Sequence, residues 1–410
     1  MSNYHSPART SDSVSPRNGL HVVIYSELLR SGGGRETWLA YFLPGIVASN
    51  LFNEVFVYAL QPRDRGASLL PLLESLHVVP LLVDIGRPEE GKPISNVWRY
   101  ATHVARSMNS RLRFGDCVLL IGSMAEGVSG ILCRSICWRR RFLLATWLRS
   151  IHAGELETYR SRFYVQIARR IEKYLLRRSD IVIANGQDTH DYYLGQMPNL
   201  KSKIHVIPNA VDISRFNGLP IPSFDHRPLQ VAFIGRPASA KGFPEYLKIV
   251  ERLNSTDEWM ESKFNFHVWG SLSAGNNPLH NMEYHGSFLP EQLPVILRSV
   301  DAVFFLNRSA AGKAAGISHG LLEIMSSRRL IVAWKNPAHC QLLHPDNSFL
   351  APEGNIQAIA EIMLKILQTA PDDLRGKVER ARQDVEDYSI ENHIRLFADS
   401  IQPMRGIKLG

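Results

Sequence analysis

At 410 residues the chain exceeds what one ordinary core fills and suggests two domains, while 45% hydrophobic and 21% charged residues mark a globular protein, neither fibrous nor disordered. Its net charge of +8 is concentrated between Arg134 and Arg178, which hold twelve Lys/Arg against three acids. Without a recognised binding signature beside those cations nucleic acid is not expected, and no apolar run reaches the roughly 20 residues of a membrane-spanning helix.

The first nineteen residues are rich in Ser and Pro and lack an apolar core, so 1–19 reads as a disordered leader. From residue 20 short apolar strands alternate with helical stretches: LHVVIYS, EVFVYAL, HVVPLLV, DCVLLIG, RFLLATW and DIVIAN. Near-continuous Val/Ile/Leu strands with helices between them predict a parallel sheet covered on both faces. Within this half, CRSICWRRRFLLATWLRS (133–150) mixes Trp138, Phe142, Leu143 and Trp147 with Arg139, Arg140, Arg141 and Arg149. That mixture fits an anionic membrane surface; it fits equally a solvated helix beside a buried strand. The four cysteines, Cys117, Cys133, Cys137 and Cys340, form neither a disulfide framework nor a zinc pattern, which fits reduced thiols and a cytoplasmic location, peripheral at a membrane if the basic segment binds one.

After IHVIPNAVDISRF (204–216) the alternation restarts with LQVAFIG, FNFHVWG, MEYHGS, DAVFFLN, LIVAW and SFLAP. The predicted architecture is α/β, two doubly wound Rossmann-like domains facing each other across a cleft. Residues 20–208 form the first, 209–387 the second, and 388–410 a C-terminal helix returning toward the first. Such sheets take ligands at the carboxyl ends of their strands, so a site is expected between the domains.

Three stretches supply chemistry there. SGGGRE follows the first strand and opens a helix, so Gly32, Gly33 and Gly34 bring backbone N–H groups and the positive end of a helix dipole toward a phosphate. The turn does not complete G-x-G-x-x-G, which speaks against a nicotinamide dehydrogenase. FIGRPASAKGF places Gly235 and Arg236 directly after a strand and Lys241 five residues on, two cations suited to a diphosphate. AAGISHGLLEIM isolates one carboxylate, Glu323, in a small and apolar run; without further context it is a solvating residue on an amphipathic helix.

Taken together with IPNAVDISRF, these motifs resemble the family-4 (group 1) glycosyltransferases of the GT-B fold. IPNAVDISRF resembles that family's Pro-Asn-Gly-Val-Asp linker, GRPASAKG its Gly-Arg…Lys-Gly turn, and AGISHGLLEIMSS its Glu-x7-Glu motif, in the family's order and on to YSIENHIRLF. The resemblance implies a nucleoside-diphosphate-sugar donor, with UDP or GDP, held mainly by the second domain. It implies a small-molecule, glycan or lipid-linked acceptor held mainly by the first.

On this chain it assigns the donor diphosphate to Arg236 and Lys241, with Gly32–Gly34 opposite. It assigns the ribose hydroxyls to Glu323 and the sugar and phosphate to Gly316, Ser318, His319, Gly320 and Leu321. Phe288 in GSFLPEQL would meet the base, and His152 in RSIHAGE would lie near the reacting sugar. Transfer with retention is implied. A double displacement needs a nucleophilic carboxylate that the sequence does not place, so front-face displacement is expected, with neither metal nor cofactor.

The sequence departs from the family at three positions. Ala315 stands where the first Glu of the motif contacts the donor sugar, with Lys313 two residues earlier as a substitute contact; His319 replaces an Asn and Ala210 a Gly. The loss at Ala315 keeps a second reading open, a catalytically impaired GT-B protein that binds nucleotide sugar or partners an active transferase.

Overall fold

The computed structural model describes residues 18–30, 34–64, 67–85, 93–149, 151, 162–256, 262–270, 281–308 and 316–405. Residues 1–17 of the predicted leader 1–19 and the expectations for Gly32, Gly33, His152, Lys313 and Ala315 lie outside them, while Gly19 is not leader but the buried first residue of a strand.

Seven parallel strands make the first sheet: β1 (Gly19–Val23), β2 (Glu54–Leu60), β3 (Val79–Val83), β4 (Cys117–Ile121), β5 (Leu143–Leu148), β6 (Ile181–Ala184) and β7 (Ile204–Val206). Their spatial order is β3-β2-β1-β4-β5-β6-β7. The second sheet is built from β8 (Leu229–Ile234), β9 (Phe264–Trp269), β10 (Met282–Gly286), β11 (Ala302–Phe305), β12 (Leu330–Lys335) and β13 (Phe349–Pro352), in the order β10-β9-β8-β11-β12-β13. Strand order reverses between β1 and β4 and between β8 and β11, and a doubly wound sheet opens a crevice beyond its strand ends at such a reversal. The strand β7 is not among the strands read from the sequence; three residues pairing with β6 are too short to carry a hydrophobic period.

Burial follows the pattern of Val, Ile and Leu. Strands β1, β4 and β6 are buried at every position. RFLLATW resolves as core: Phe142 is buried and Trp147 has no exposed surface, so neither is available to a membrane. Arg134 is likewise withdrawn, in a bidentate pair with Asp180 at 2.8 and 2.9 Å, and Arg140 donates to the carbonyls of Asn109 and Leu112. The solvent side of this region lies elsewhere. Trp138 is 71% exposed, and on the helix Arg162–Arg178 the exposed Phe163, Ile167, Arg170 and Tyr174 recur at spacings of three and four, one face of a helix.

The last helix, Ile390–Arg405, leaves the second domain and packs on the first. Ile394, Phe397 and Ile401 enter the core formed by β1, β2 and the helix Gly34–Ala48, each such side chain contributing roughly 1.5–3 kcal/mol of apolar burial. Gly45 permits that approach, because a Cβ there would lie 2.7 Å from Ile390 and 2.8 Å from Ile394.

The linker is held by side chains on both domains. His393 Nδ1 donates to the Pro208 carbonyl (2.7 Å) while its Nε2 accepts from Trp38 Nε1 (3.1 Å), and Asn209 Nδ2 donates to the Ile317 carbonyl (2.6 Å). His319 Nδ1 meets the Ala210 carbonyl at 3.0 Å, so two positions at which the sequence departs from the family pattern bond to each other.

Candidate active site

The cleft between the strand ends encloses about 930 Å³ and is lined from both domains. Of the residues singled out from sequence, Gly34, Gly235, Arg236, Lys241, Phe288, Gly316, Ser318, His319, Gly320, Leu321 and Glu323 all line it.

On the second-domain wall, Gly235 and Arg236 follow β8, and Lys241 ends a short 3-10 turn, Ser239–Lys241. Arg236 is exposed, and neither it nor Lys241 has a carboxylate partner within 4.0 Å among the described residues. Burial, and next the charge of Arg236, pull the Lys241 ammonium below its ordinary range. Two like charges held together this way are a site for an anion that neutralises both. Asn307, after β11, and Phe288, after β10, continue the wall.

The helix His319–Ser326 starts at the cleft, and its approach is set by Gly316. At φ = 66° that residue lies where L side chains are strained, and a Cβ would meet the Asn185 side chain at 2.3 Å. Its N–H donates to Asp188 Oδ2 (3.2 Å), so this second-domain loop rests on the first turn of the helix Gln187–Gln196 that follows β6.

Glu323 is 9% exposed, which removes the solvated-helix reading. Its Oε1 accepts from Tyr41 Oη at 2.7 Å and lies 3.7 Å from Arg215 Nη1, which also donates to Tyr41. Burial pushes the Glu323 carboxyl up, opposed by the Tyr41 hydrogen bond and the Arg215 charge. Tyr41 belongs to the first-domain helix Gly34–Ala48, so the isolated acid of the second domain joins the two walls.

The first-domain wall contains residues that the sequence did not single out. Glu126 opens the helix after β4, buried, and accepts from Tyr25 N (2.9 Å) and Arg35 Nη1 (3.0 Å). Glu36 accepts from Ser26 Oγ. Both carboxylates line the cleft, yet each is engaged by the chain's own donors.

Arg149 follows β5 and had been counted with the basic surface segment; instead it faces the cleft. Its guanidinium stacks 5.2 Å from the Trp38 ring, and Nη2 makes long contacts to Gly34 O (3.4 Å) and His319 Nε2 (3.5 Å). The imidazole is neutral, held well below its usual range by burial, so with Nδ1 donating to Ala210 it offers Nε2 as an acceptor. Arg149 Nε and Nη1 are shut off from solvent with no hydrogen-bond partner among the described residues. Burial, then the charge of Arg35, pulls the guanidinium down to about 9. A strand-end Arg inside a basic run gives no sequence signal that distinguishes it from its exposed neighbours.

A metal-competent set, His267, Glu283 and His285, lies on β9 and β10 outside the cleft lining, with the two imidazoles 3.0 Å apart and Gln230 Oε1 2.8 Å from His267 Nε2.

Two family descriptions match the chain in sequence, Glycosyltransferase Family 4 over residues 125–215 and Glycosyl transferases group 1 over residues 228–369. The chain belongs to the family-4, group 1 glycosyltransferases. It is thus a glycosyltransferase by family, and each domain carries one of the two matches. No curated protein matches it significantly over its sequence.

Among solved structures a sucrose-phosphate synthase from Thermosynechococcus elongatus superposes with a TM-score of 0.74 at 13% identity, covering 95% of this chain and 99% of that one. HepE of Anabaena, solved in complex with UDP, gives 0.70 at 16% identity, covering 94% and 100%. TarM gives 0.67 at 12% identity, covering 95% and 99%. These likenesses establish the GT-B fold of the family for this member.

Proposed function

We propose that this glycosyltransferase moves a sugar from a nucleoside-diphosphate sugar to an acceptor hydroxyl with retention of configuration. The observation that carries the reading is the meeting of Gly34, Arg236, Lys241 and Glu323 around one cleft at the reversal points of two sheets. Arg236 and Lys241 bind the diphosphate and stabilise the charge that grows on it as the glycosidic bond breaks. The backbone at Gly34 and the start of the helix His319–Ser326 add the positive ends of two helix dipoles. Glu323 accepts the ribose hydroxyls and Phe288 lies against the base. A UDP donor is the first to test, since HepE, of the same fold, was solved with UDP and with UDP-glucose.

Double displacement calls for a carboxylate free to attack the anomeric carbon. Glu126 and Glu36 are occupied by Tyr25, Arg35 and Ser26, which favours front-face displacement with the departing phosphate taking the acceptor's proton. In this reading the cations and dipoles serve the leaving group without a metal ion. Nucleoside-diphosphate release measured over a panel of donors with and without EDTA tests the proposal. Release from at least one donor, unaffected by chelation, is expected; release only with a divalent ion removes the metal-independent step.

The impaired-protein reading rests on Ala315. Ala315→Glu should depress release in an active enzyme, since a carboxylate placed near a diphosphate is repelled. A gain of activity in that variant, with none in the natural sequence, would establish the impaired reading instead.

We further propose contact with an anionic membrane through the exposed face of the helix Arg162–Arg178 together with Trp138, Arg139 and Arg141. Aromatic and basic side chains on one helix face suit a lipid interface. Cosedimentation with acidic vesicles should fall as salt rises and fall again in Phe163→Ser; binding that ignores both removes the membrane from the account. Among the described residues no helix is long and apolar enough to cross a membrane.

A further inference from the structure

Arg149 is a cation in the cleft wall without an anion. Among the described residues no carboxylate lies within 4.0 Å of it, and its two contacts, to Gly34 O and His319 Nε2, are near the limit of a hydrogen bond. A guanidinium offers five N–H donors in a planar fork, and here Nε and Nη1 donate to no described residue. Leaving such groups buried and unsatisfied is destabilising, more so for a charged group, and stacking on Trp38 offsets only part of that. Folding alone therefore does not explain the residue. Its position bears on the sugar end of the site, because Nη2 touches His319 at the start of the helix that also carries Gly320 and Glu323.

In the sequence, Ala315 stands where the family resemblance puts a sugar-contacting carboxylate. Arg149 adds a positive charge to the first-domain wall of the cleft, which favours an anionic group over a neutral one.

We propose that Arg149 binds an anionic oxygen group of the reacting substrates other than the donor diphosphate, foremost the carboxylate of a uronic acid on the donor sugar. A carboxylate accepts the fork of a guanidinium in bidentate fashion, satisfying Nε and one Nη together. A phosphate monoester on the acceptor offers the same chemistry and is the other source. The inference rests on the donor site proposed above.

Isothermal titration separates the parts. UDP and GDP alone, then UDP-glucose and UDP-glucuronate, are titrated into the natural protein, Arg149→Gln and Arg149→Lys; glucose 6-phosphate is titrated into each protein saturated with the better nucleotide. The expected result is a preference of tenfold or more for the uronate over the neutral sugar, abolished in Arg149→Gln and partly kept in Arg149→Lys. Free nucleotide should bind all three proteins within about twofold. If that preference is missing but the sugar phosphate binds in an Arg149-dependent manner, the anion belongs to the acceptor and the assignment of Arg149 stands. Equal or better binding of UDP-glucose, with no Arg149-dependent phosphate binding, overturns it. So does a tenfold loss of free nucleotide in Arg149→Gln with an unchanged melting temperature, which would give Arg149 to the diphosphate. Failure of the natural protein to bind either nucleotide is a distinct result: it removes the donor site itself, and this assignment with it.

Discussion

Among the described residues, Arg236 and Lys241 on the second-domain wall of the cleft stand without carboxylate partners, as does Arg149 on the first-domain wall, whereas Arg35 beside it is bound to Glu126 and to the Tyr25 carbonyl. The difference follows from what each wall has to meet. A diphosphate leaving group arrives with its own charge and gains more during bond cleavage, so cations that serve it must be unneutralised beforehand. The opposite wall has to hold a shape: Glu126 and Arg35 tie the end of β1 to the start of two helices, and Tyr41 reaches across to Glu323. One wall therefore carries the charge of the reaction and the other fixes its geometry.

The largest effect that could break this contrast is the loss of both open cations. Arg236→Ala with Lys241→Ala should lower kcat by about 100-fold or more, with a smaller rise in KM, because the charge they meet grows in the transition state. Steady-state kinetics of nucleotide release reads this directly; equal changes in the two constants would demote the pair to anchors. Next in size, Glu323→Ala should weaken nucleoside-diphosphate binding by about 1.5–3 kcal/mol, the range for hydrogen bonds to a charged group, while the protein remains folded by circular dichroism. Unaltered affinity would leave Glu323 as a link to Tyr41 and Arg215 only.

A comparable effect is expected in stability. His393 and His339 are held neutral by burial, pulled down to about 3 and about 4, and His319 is also well below its usual range. The unfolded chain takes up these protons near pH 6.5 and the folded one does not, so stability present above that pH is lost as pH falls, at about 1.4 kcal/mol per unit for each histidine. Melting temperature should drop between pH 6.5 and 5, and His393→Gln should flatten the drop. Buried Glu126 and Glu323 have raised carboxyls and act in the opposite sense, so a flat profile in the natural protein would show that they cancel the imidazoles.

The smallest effect sharpens the contrast most finely. Tyr41→Phe frees Glu323 Oε1 for a ribose hydroxyl and should leave nucleotide affinity unchanged or improve it by up to about 1 kcal/mol. A loss comparable to that of Glu323→Ala would make Tyr41 a ligand of the nucleotide in its own right.

The second wall was readable in the sequence because its residues are local: Gly235, Arg236 and Lys241 fall within one turn after one strand, and Gly316 to Glu323 within one loop and helix. The two sheets were readable for the same reason, each strand being a short apolar run with its own period. The first wall was not, since Tyr25 and Arg35 follow β1, Glu126 follows β4 and Arg149 follows β5, three strand ends that become neighbours only once the sheet order is set. Arg149 shows the cost of reading by composition, which groups it with Arg139 to Arg141 although those precede β5 and Arg149 follows it, at the strand end that faces the cleft. Glu323 lines the cleft, but its bond to Tyr41 joins residues 282 positions apart and no local pattern announces it.

The central claim is that the two open cations and the acid across from Tyr41 form one nucleotide site. Isothermal titration of UDP and GDP into the natural protein tests it most directly, repeated between pH 7 and 10. We expect one nucleotide to bind with a single site per chain, and its affinity to decline with rising pH from below the ordinary lysine range of about 10.4, as the Lys241 ammonium, already pulled down by burial and by Arg236, gives up its proton. Lys241→Arg should bind the same nucleotide without that decline. Absence of binding by either nucleotide at pH 7, or an identical pH profile in Lys241→Arg, would contradict the account.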